Sequence, residues 1–299
     1  MRTVRVVSRT VEAEGVVSFV LGGGDLPGWE PGAHIDVEVR PGLIRQYSLC
    51  GDPGDPHHWR IAVLREEPGR GGSRYLHDHV SVGGALRVSE PRNNFPLIPA
   101  ERHVFVAGGI GITPLLPMLA RARDWTLFYG GRNRSRMAFL DELGRYGDRV
   151  RVLPEDEHGL LPLAEIFAAS DGPVYCCGPE PLLAAAERLC QPGRLRVERF
   201  HPREIGEAGP AREFEVLASA SGQTVRVGAG ESILDALDAA GVPMPSSCRE
   251  GTCGTCETTI VEGEVEHRDS VLSEQEREAG KSMMICVSRA KTPRLVLDV

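Results

Sequence analysis

The sequence predicts a multidomain protein in which an antiparallel β-barrel, a Rossmann-like α/β domain and a small α+β domain follow one another. Its 299 residues are enough for two or three domains, since a domain takes about 150 residues. Short alternating strands fill the first third of the chain and strand–helix repeats fill the second. A cluster of cysteines marks the last third.

The first segment, residues 1–98, is predicted to form the barrel. The runs VRVVSRTV, HIDVEV and WRIAVLRE alternate apolar and polar residues, as half-buried strands do. Turn signals such as GGGD and PGDP lie between them. Short strands joined by Gly- and Pro-rich turns are typical of a small antiparallel barrel.

The second segment, residues 99–202, alternates apolar strands with helical runs. HVFVAGG precedes PLLPMLARAR, WTLFYGG precedes SRMAFLDELGRY, RVRVLPED precedes LLPLAEIFAAS, and GPVYCCG precedes EPLLAAAERLC. Buried strands that alternate with helices predict a parallel sheet of Rossmann type.

The third segment, residues 213–299, follows a predicted linker at 203–212 that carries Pro, Gly and mixed charge. It opens with FEVLASASGQTVRV, which predicts a hairpin, and continues with a helix at SILDALDAAG and then the cysteine loop. We therefore expect three domains of unlike architecture.

Charge is unevenly distributed along the chain. The net charge is −8 in total, and from Ala211 onward there are 9 Lys plus Arg against 15 Asp plus Glu. An acidic last third disfavours nucleic acid as a partner, because nucleic acid requires basic patches. It suits docking onto a basic protein surface, although an ordinary solvated face explains it as well.

Hydropathy gives no sign of a membrane segment. The sequence has no run of 18 apolar residues, and its start, MRTVRVVSRTVEAEGV, lacks the apolar stretch of a signal peptide. We expect a cytoplasmic protein whose cysteines stay reduced.

The stretch SSCREGTCGTCETT places Cys248, Cys253 and Cys256 within nine residues, and Cys286 follows in SMMICVSRA. Structural zinc usually takes two close pairs, or cysteines with histidines, whereas this stretch has one close pair and no histidine. C-x4-C-x2-C with a distant fourth cysteine is the plant-type [2Fe–2S] spacing. Gly251 and Gly254 are expected to adopt the positive φ angles that let the chain curl around a cluster.

Two glycine motifs point to a nucleotide. GGIGITPLLPM, residues 108–118, joins a strand to a helix but lacks the full G-x-G-x-x-G fingerprint, so a tight glycine turn explains it equally well. CCGPEPLL, residues 176–183, ends another strand of the same predicted sheet. Since ligands of open α/β sheets bind beyond the carboxyl ends of strands, both motifs are expected to face one crevice.

Two barrel motifs suit a phosphate and a ring system. In RQYSL, Arg45 offers a guanidinium to a phosphate, while Tyr47 and Ser48 offer contacts to a ring. In GRGGSRYLHD, Gly71 to Ser73 lead into a short helix whose N-terminus favours a phosphate. Each motif alone is as well explained by an ordinary turn.

In combination, R-x-Y-S-L, G-G-x-S, G-G-x-G-x-T-P and C-G-P resemble the ferredoxin–NADP⁺ reductase superfamily. With a plant-type cluster motif at the far end, the chain resembles phthalate dioxygenase reductase and vanillate demethylase reductase over nearly its whole length. The resemblance implies FMN in the barrel, a nicotinamide nucleotide in the Rossmann-like domain and a β-grasp ferredoxin domain that holds the cluster on the four cysteines.

The resemblance also assigns roles to individual residues. It implies that Arg45 holds the FMN phosphate, with Gly72 and Ser73. Tyr47 and Ser48 would contact the ring, and the backbone around Val63 and Leu64 would support its edge. The loop from Gly109 through Gly111 and Thr113 to Pro114 would lie between flavin and nicotinamide, and Cys177, Gly178 and Pro179 would border the nicotinamide. Phe200 matches an aromatic placed against the flavin, although a core position explains it too. Ser48, Thr113 and Cys177 are the predicted catalytic positions.

Nucleotide choice rests on the segment YGGRNRSR. Arg132 lies where the adenosine ribose should bind, and Arg132, Arg134 and Arg136 together would suit the 2′-phosphate of NADPH. The resemblance favours NADH.

The implied activity is that of an NAD(P)H-dependent oxidoreductase, the reductase component of a multicomponent oxygenase. It would take hydride from NADH to FMN and pass single electrons through the [2Fe–2S] cluster to a Rieske-type terminal oxygenase, docking as a monomer through its acidic ferredoxin domain. The alternatives are a donor to a haem monooxygenase, a quinone or flavin reductase, and a non-enzymatic redox sensor.

Overall fold

A computed structural model describes residues 1–67, 69–203 and 212–299. Two compact units divide the chain, Met1–Glu198 and Arg199–Val299. Part of the predicted linker, 204–211, lies outside the described residues. Within the described part, none of the helices has both the length and the apolar character that a membrane crossing requires.

An antiparallel sheet of seven strands begins the first unit. Its strands are β1 (Arg2–Ala13), β2 (Val16–Gly22), β3 (Ala33–Arg40), β4 (Leu43–Ser48), β5 (His58–Leu64), β6 (Ala85–Val88) and β7 (Arg92–Asn93). They run in the order β4-β3-β6-β1-β2-β5, with β7 paired to β3. A bridge between Leu49 and Ile61 brings the two ends of this order together. The sheet closes on a core that includes Phe19, Ile35 and Trp59, which confirms the predicted barrel.

Helix α1 (Gly72–His79) packs against the barrel wall and buries Leu76. Its His77 donates from Nε2 to the carbonyl of Val63 at 2.9 Å. Ser73 Oγ in turn accepts a hydrogen bond from the backbone N–H of Glu66 at 3.1 Å. These two bonds hold α1 beside the end of β5.

A parallel sheet of five strands follows, with the order β10-β9-β8-β11-β12. The strands are β8 (His103–Gly108), β9 (Trp125–Gly131), β10 (Val150–Pro154), β11 (Val174–Cys177) and β12 (Leu195–Glu198). The accompanying helices are α2 (Leu116–Arg121), α3 (Leu140–Gly144), α4 (Glu155–His158), α5 (Leu163–Ala168) and α6 (Glu180–Leu189). Because the order reverses between β8 and β11, the fold has the switch point at which such sheets bind ligands. This confirms the predicted Rossmann-like domain.

The helix predicted for SRMAFLDELGRY is shorter than expected. Its first residues form a 3₁₀ turn, Arg134–Arg136, and α3 begins only at Leu140. Between them Phe139 has a φ of 65°, a left-handed conformation that interrupts a helix. Phe139 is buried in the core shared with the barrel, and the guanidinium of Arg60 lies 5.0 Å from its ring centroid. Tertiary packing therefore overrides helical periodicity here.

The barrel and the parallel sheet share one apolar core. Val16, Ala62 and Phe95 from the barrel side pack with Phe105 and Met137 of the nucleotide side. Arg60 of β5 also donates two hydrogen bonds to Glu142 of α3, at 2.9 and 3.2 Å. The two modules accordingly form a single compact unit.

The second unit is a mixed sheet with the order β14-β13-β19-β15-β17, beside a small pair β16-β18. Its strands are β13 (Phe214–Ala218), β14 (Gln223–Val227), β15 (Glu257–Glu262), β16 (Val265–Glu266), β17 (Ser282–Met284), β18 (Arg289–Ala290) and β19 (Arg294–Leu297). Helix α7 (Ile233–Ala239) buries Ile233, Leu234 and Leu237, and α8 (Glu274–Ala279) lies outside the core. The predicted hairpin and helix are confirmed as β13–β14 and α7, a β-grasp arrangement.

Candidate functional site

The barrel presents a cradle where β4 meets the start of α1. Gly71 has a φ of 81°, and a Cβ added to Gly72 would lie 2.9 Å from Cγ of Arg45. The glycine therefore lets the half-buried Arg45 side chain pass close to the first backbone N–H groups of the eight-residue helix. A guanidinium beside a helix N-terminus suits a phosphate, so these residues fit the phosphate of a flavin.

Tyr47 and Ser48 continue the same strand. Tyr47 is half-buried, and burial raises the pKa of its phenol well above the ordinary value. Ser48 is buried, and its hydroxyl donates to Oε2 of Glu198 at 3.2 Å. Val63 is buried and Leu64 half-buried on the neighbouring part of the wall. The structure thus places Arg45, Tyr47 and Ser48 along β4 and Val63 with Leu64 at the end of β5, and their contacts with a flavin stay predictions.

The two glycine motifs of the nucleotide module pack against each other. Strands β8 and β11 are parallel neighbours, with Ala107 opposite Cys177. A Cβ on Gly111 would fall 2.2 Å from the carbonyl oxygen of Cys177, and one on Gly108 would fall 2.7 Å from Cδ of Pro179. The two motifs therefore lie side by side at the carboxyl ends of neighbouring strands, and the nucleotide crevice that they are expected to border stays a prediction.

The remaining residues of these loops are firmly placed. Gly109 has a φ of 53°, and a Cβ added to Gly178 would lie 3.0 Å from Cα of Gly108. Thr113 is 2% exposed, and its hydroxyl donates to the carbonyl of Ile110 at 3.0 Å. That hydroxyl stabilises the 3₁₀ turn Gly109–Ile112, and the catalytic role predicted for Thr113 stays a prediction.

Glu198 is the residue that sequence reasoning missed. It pairs with Cys177 across β11 and β12, and it accepts the hydrogen bond from Ser48. Burial raises the pKa of its carboxyl to about 8, an effect that the Ser48 hydrogen bond partly opposes. Burial, and then the nearby Glu198, raise the pKa of the Cys177 thiol well above its usual range. The one feature of the sequence that could have identified Glu198 is its place as an acidic residue at the carboxyl end of a strand of the sheet.

The three arginines predicted near the ribose have different surroundings. Arg134 donates to Glu157 at 2.8 and 3.2 Å, and Arg136 donates to Glu14 of the barrel at 3.2 and 2.8 Å. Arg132 is exposed directly after β9. The cluster is therefore not a set of three unpaired cations. Phe200 lies in the second unit and is 37% exposed, and its predicted contact with the flavin stays a prediction.

The cysteine loop gathers four buried thiols. Cys248, Cys253, Cys256 and Cys286 are each less than 9% exposed. Cys248 contacts the thiols of Cys253 and Cys286, and Cys286 also contacts Cys256. Hydrogen bonding from Cys253 and Cys286 lowers the pKa of the Cys248 thiol. Four buried thiols that converge in this way fit a two-iron cluster.

The backbone of this loop curls as predicted. Gly251 and Gly254 have φ angles of 70° and 72°. The backbone N–H groups of Glu250 and Thr252 point at Sγ of Cys248, at 3.3 and 3.5 Å. Such bonds stabilise the negative charge of a thiolate.

Arg249 anchors the loop to α7. It is one of two non-glycine residues with positive φ in the described part of the chain, at 57°. Its guanidinium donates to Asp235 at 2.6 Å and to Asp238 at 3.0 Å. The anchor offsets the cost of the left-handed backbone, which is roughly 1 kcal/mol for a side chain with a Cβ.

A barrel cradle, a nucleotide crevice and a four-thiol loop together define an iron–sulfur flavoprotein reductase. Residues 217–291 match the model of the "2Fe-2S iron-sulfur cluster binding domain". Over 284 residues the chain is 46% identical to phenoxybenzoate dioxygenase subunit beta of Ectopseudomonas oleovorans, covering 91% of this chain and 88% of the relative.

Two solved structures extend the similarity. Phthalate dioxygenase reductase, described as a modular structure for electron transfer from pyridine nucleotides to [2Fe–2S], is 37% identical with a TM-score of 0.70, and the match covers 100% of this chain and 98% of that one. An intact type IV self-sufficient cytochrome P450 monooxygenase is 44% identical with a TM-score of 0.92. There the match covers all of this chain but only 41% of the P450 chain.

The chain belongs to the family of flavin- and [2Fe–2S]-containing oxygenase reductases that includes phthalate dioxygenase reductase. The family, fold class and oxidoreductase activity predicted from its motifs are confirmed. Flavin, pyridine nucleotide and a [2Fe–2S] cluster are its cofactors.

Proposed function

We propose that this chain supplies electrons from NADH, singly, to a separate Rieske-type oxygenase. The observation that supports this most is the presence, in one chain, of a cradle beside Arg45, two glycine motifs that pack together at the carboxyl ends of β8 and β11, and a loop of four convergent thiols. Bound FMN would accept a hydride and release its two electrons one at a time to a bound [2Fe–2S] cluster, which is the chemistry that these two groups supply.

In the barrel, the chain's own residues bind and orient the flavin. The Arg45 guanidinium and the N-terminus of α1 offer one phosphate site, which is what FMN needs. Tyr47 supplies an aromatic surface, and Ser48 supplies a hydroxyl beside the nucleotide module.

In the nucleotide module, Gly109 to Pro114 and Cys177 to Pro179 would position the nicotinamide of NADH. Glu198, whose pKa of about 8 keeps its carboxyl protonated at neutral pH, accepts the Ser48 hydrogen bond without adding a negative charge beside Cys177. Hydride transfer depends on close alignment more than on acid–base chemistry, so we assign Glu198 to holding Ser48 in place.

For the oxygenase partner, we propose docking of a monomer through the acidic surface beside the cysteine loop. Glu257 is exposed next to Cys256, and its Oε1 accepts from Ser282 at 2.6 Å. Opposite charges on the partner would speed the encounter and make it sensitive to salt. The observation behind this surface is the excess of carboxylates after Ala211.

The decisive experiment is an anaerobic titration of the purified protein with NADH, followed by visible absorbance and by electron paramagnetic resonance. We expect flavin bleaching and then the signal of a reduced [2Fe–2S] cluster. A protein that oxidises NADH without ever giving that signal would contradict the proposal.

Docking is tested by coupled turnover with a Rieske oxygenase as NaCl is raised, with NADH–ferricyanide activity as the control. We expect coupled turnover to fall steeply while ferricyanide reduction stays level. Glu257→Gln should raise the KM for the oxygenase, whereas Glu215→Gln, an exposed carboxylate on β13, should not. Coupling that is independent of salt would contradict an electrostatic dock.

A haem monooxygenase is the second candidate acceptor. It is favoured by the TM-score of 0.92 against the self-sufficient cytochrome P450, of which this chain matches 41%. Parallel assays with a Rieske oxygenase and with a P450 that lacks its own reductase separate the two, since the true acceptor should give the higher coupled kcat/KM.

A further inference from the structure

The carboxyl ends of β9 and β10 form one edge of the nucleotide sheet. The two strands are parallel, with Gly131 opposite Pro154. Beyond that pair the backbone N–H of Asp156 donates to the carbonyl of Arg132 at 3.4 Å. The segments that follow the two strands therefore lie side by side at the edge where a dinucleotide fold binds its adenosine.

This edge carries an apolar surface together with charge. Leu161 packs on Gly130, where an added Cβ would lie 3.0 Å from its Cγ. The neighbouring Leu160 is 82% exposed, the largest exposed fraction among the large apolar side chains of the described residues. An exposed leucine beside a glycine strand end suits the face of an adenine ring.

Two arginines of this edge, Arg134 and Arg136, form ion pairs with acidic residues. Arg134 donates to Glu157 through both Nε and Nη2. This bidentate pair uses the two N–H groups with which the guanidinium would otherwise bind a phosphate. The hydrogen bond from Arg134 also lowers the pKa of the Glu157 carboxyl, which is consequently ionised at neutral pH. Glu155 and Asp156 precede it in the same helix, α4.

Arg136 forms its ion pair with Glu14, a residue of the barrel. Its guanidinium contacts Oε1 of Glu14, while the Ser135 hydroxyl donates to Oε2 of the same residue at 3.1 Å. Of the three arginines, Arg132 remains as a cation with no side-chain hydrogen bond or ion pair among the residues that the structure describes. A dianionic 2′-phosphate would thus meet more carboxylates than available guanidinium groups.

We propose that Glu157 is a specificity-determining residue, which occupies Arg134 and, with Glu155 and Asp156, makes this edge select a nucleotide with a 2′-hydroxyl over one with a 2′-phosphate. The inference rests on the proposed use of a nicotinamide nucleotide, and it adds which residues set the preference for NADH over NADPH. Acidic groups suit the ribose hydroxyl, whereas unpaired arginines suit the 2′-phosphate. The pair is exposed, so its loss should leave the fold intact.

The test compares kcat/KM for NADPH and NADH, with ferricyanide as acceptor, in full-length protein loaded with its cofactors. Glu157→Gln should raise the NADPH:NADH ratio roughly tenfold, the effect of one gained charge-assisted contact. The double variant Glu157→Gln with Arg134→Gln should return the ratio to that of the parent. Glu165→Gln removes an exposed carboxylate from α5 of the same module and should leave the ratio unchanged.

A binding measurement gives a readout that does not depend on turnover. Calorimetry with 2′,5′-ADP should show roughly tenfold tighter binding to Glu157→Gln, while 5′-AMP should bind both proteins equally. A ratio that does not move in Glu157→Gln, a gain that persists without Arg134, or a parent protein that prefers NADPH would each overturn the inference. A parent that oxidises neither nucleotide would instead overturn the proposed function.

Discussion

The cysteine loop and the flavin–nucleotide seam are built on different principles. We use seam for Ser48, Cys177, Glu198 and the glycines that contact them. Three of the four thiols lie within nine residues, and Arg249 ties that loop to α7. The seam joins Ser48 and Glu198 across 150 positions of sequence. The loop is thus a local structure, whereas the seam exists only when two modules pack together.

This difference determines how each region responds to substitution. In the loop every sulfur is a predicted ligand of the cluster, so that one replacement should remove the function of the whole group. In the seam the residues act through packing and protonation, and a single replacement should change stability or pH dependence by a graded amount. The following substitutions test that contrast in order of decreasing effect.

Replacing Cys253 by serine should abolish the reduced-cluster signal and lower coupled oxygenase turnover by at least 100-fold, more than the roughly 10–100-fold typical of outer-shell changes. NADH–ferricyanide activity should persist, because the flavin cradle is untouched. Cys190→Ser is the control, since Cys190 belongs to the core of the nucleotide module. A variant that keeps normal coupled turnover would contradict the assignment of the loop.

Replacing Gly111 by alanine should destabilise the first unit by about 3 kcal/mol, the upper end of overpacking costs. The new Cβ would lie 2.2 Å from the carbonyl oxygen of Cys177, and that backbone cannot move without displacing β11. Urea unfolding of the flavin unit measures the change. Gly144→Ala, with nothing within 4 Å of the added Cβ, should change stability by less than about 1 kcal/mol. Equal effects would show that the two loops do not pack as described.

Replacing Glu198 by glutamine should flatten the pH dependence of stability. The raised pKa means that the folded unit binds this proton more tightly than the unfolded chain does. The stabilisation is therefore complete below pH 4.5 and is lost as the pH rises through about 8. We expect a loss on the order of 2–3 kcal/mol across that window in the parent, reduced from the full shift because the residue is half-buried.

Thermal unfolding of the parent and of Glu198→Gln between pH 4.5 and 9 gives the measurement. Glu165→Gln is the control for a simple change of net charge. Parallel curves for the parent and Glu198→Gln would show that this carboxyl does not titrate in the seam.

Replacing Glu142 by glutamine should weaken the contact between the barrel and the nucleotide module by about 1–2 kcal/mol, between the values for exposed and buried pairs. The Arg60–Glu142 side chains are 23% and 27% exposed. Asp124→Asn removes the Arg102–Asp124 pair, which is 61% and 47% exposed, and should cost about 0.5 kcal/mol or less. Equal losses would argue against the stronger role of the half-buried pair.

The contrast between the regions also explains what the sequence allowed us to predict. The spacing of Cys248, Cys253 and Cys256 was enough to predict a cluster-binding loop, because residues this close in sequence come together when the chain curls locally. The position of Glu198 in the site could not be predicted from the sequence. It depends on the hydrogen bond from Ser48 and on the pairing of β11 with β12, which join residues far apart in the chain. The ion pairs of Arg134 and Arg136 likewise depend on side chains from other elements.

The bounds of strands and helices were also predictable only where local sequence determines them. Strands with a clear alternation, such as β3 and β5, appeared where predicted. The helical run around Phe139 was broken, because its ring is needed in the core shared with the barrel. Long-range packing therefore decided what local periodicity could not.

The placement of β19 has a consequence for the order of biosynthesis. This strand comes last in the second unit, yet it lies in the middle of the sheet, between β13 and β15. Its pairing partners are made up to about eighty residues earlier, so the sheet cannot close while the ribosome is still translating the segments between them. The sheet beside the cysteine loop is accordingly complete only after Leu297 has left the exit tunnel, and we expect the domain to hold its cluster stably only from that point on.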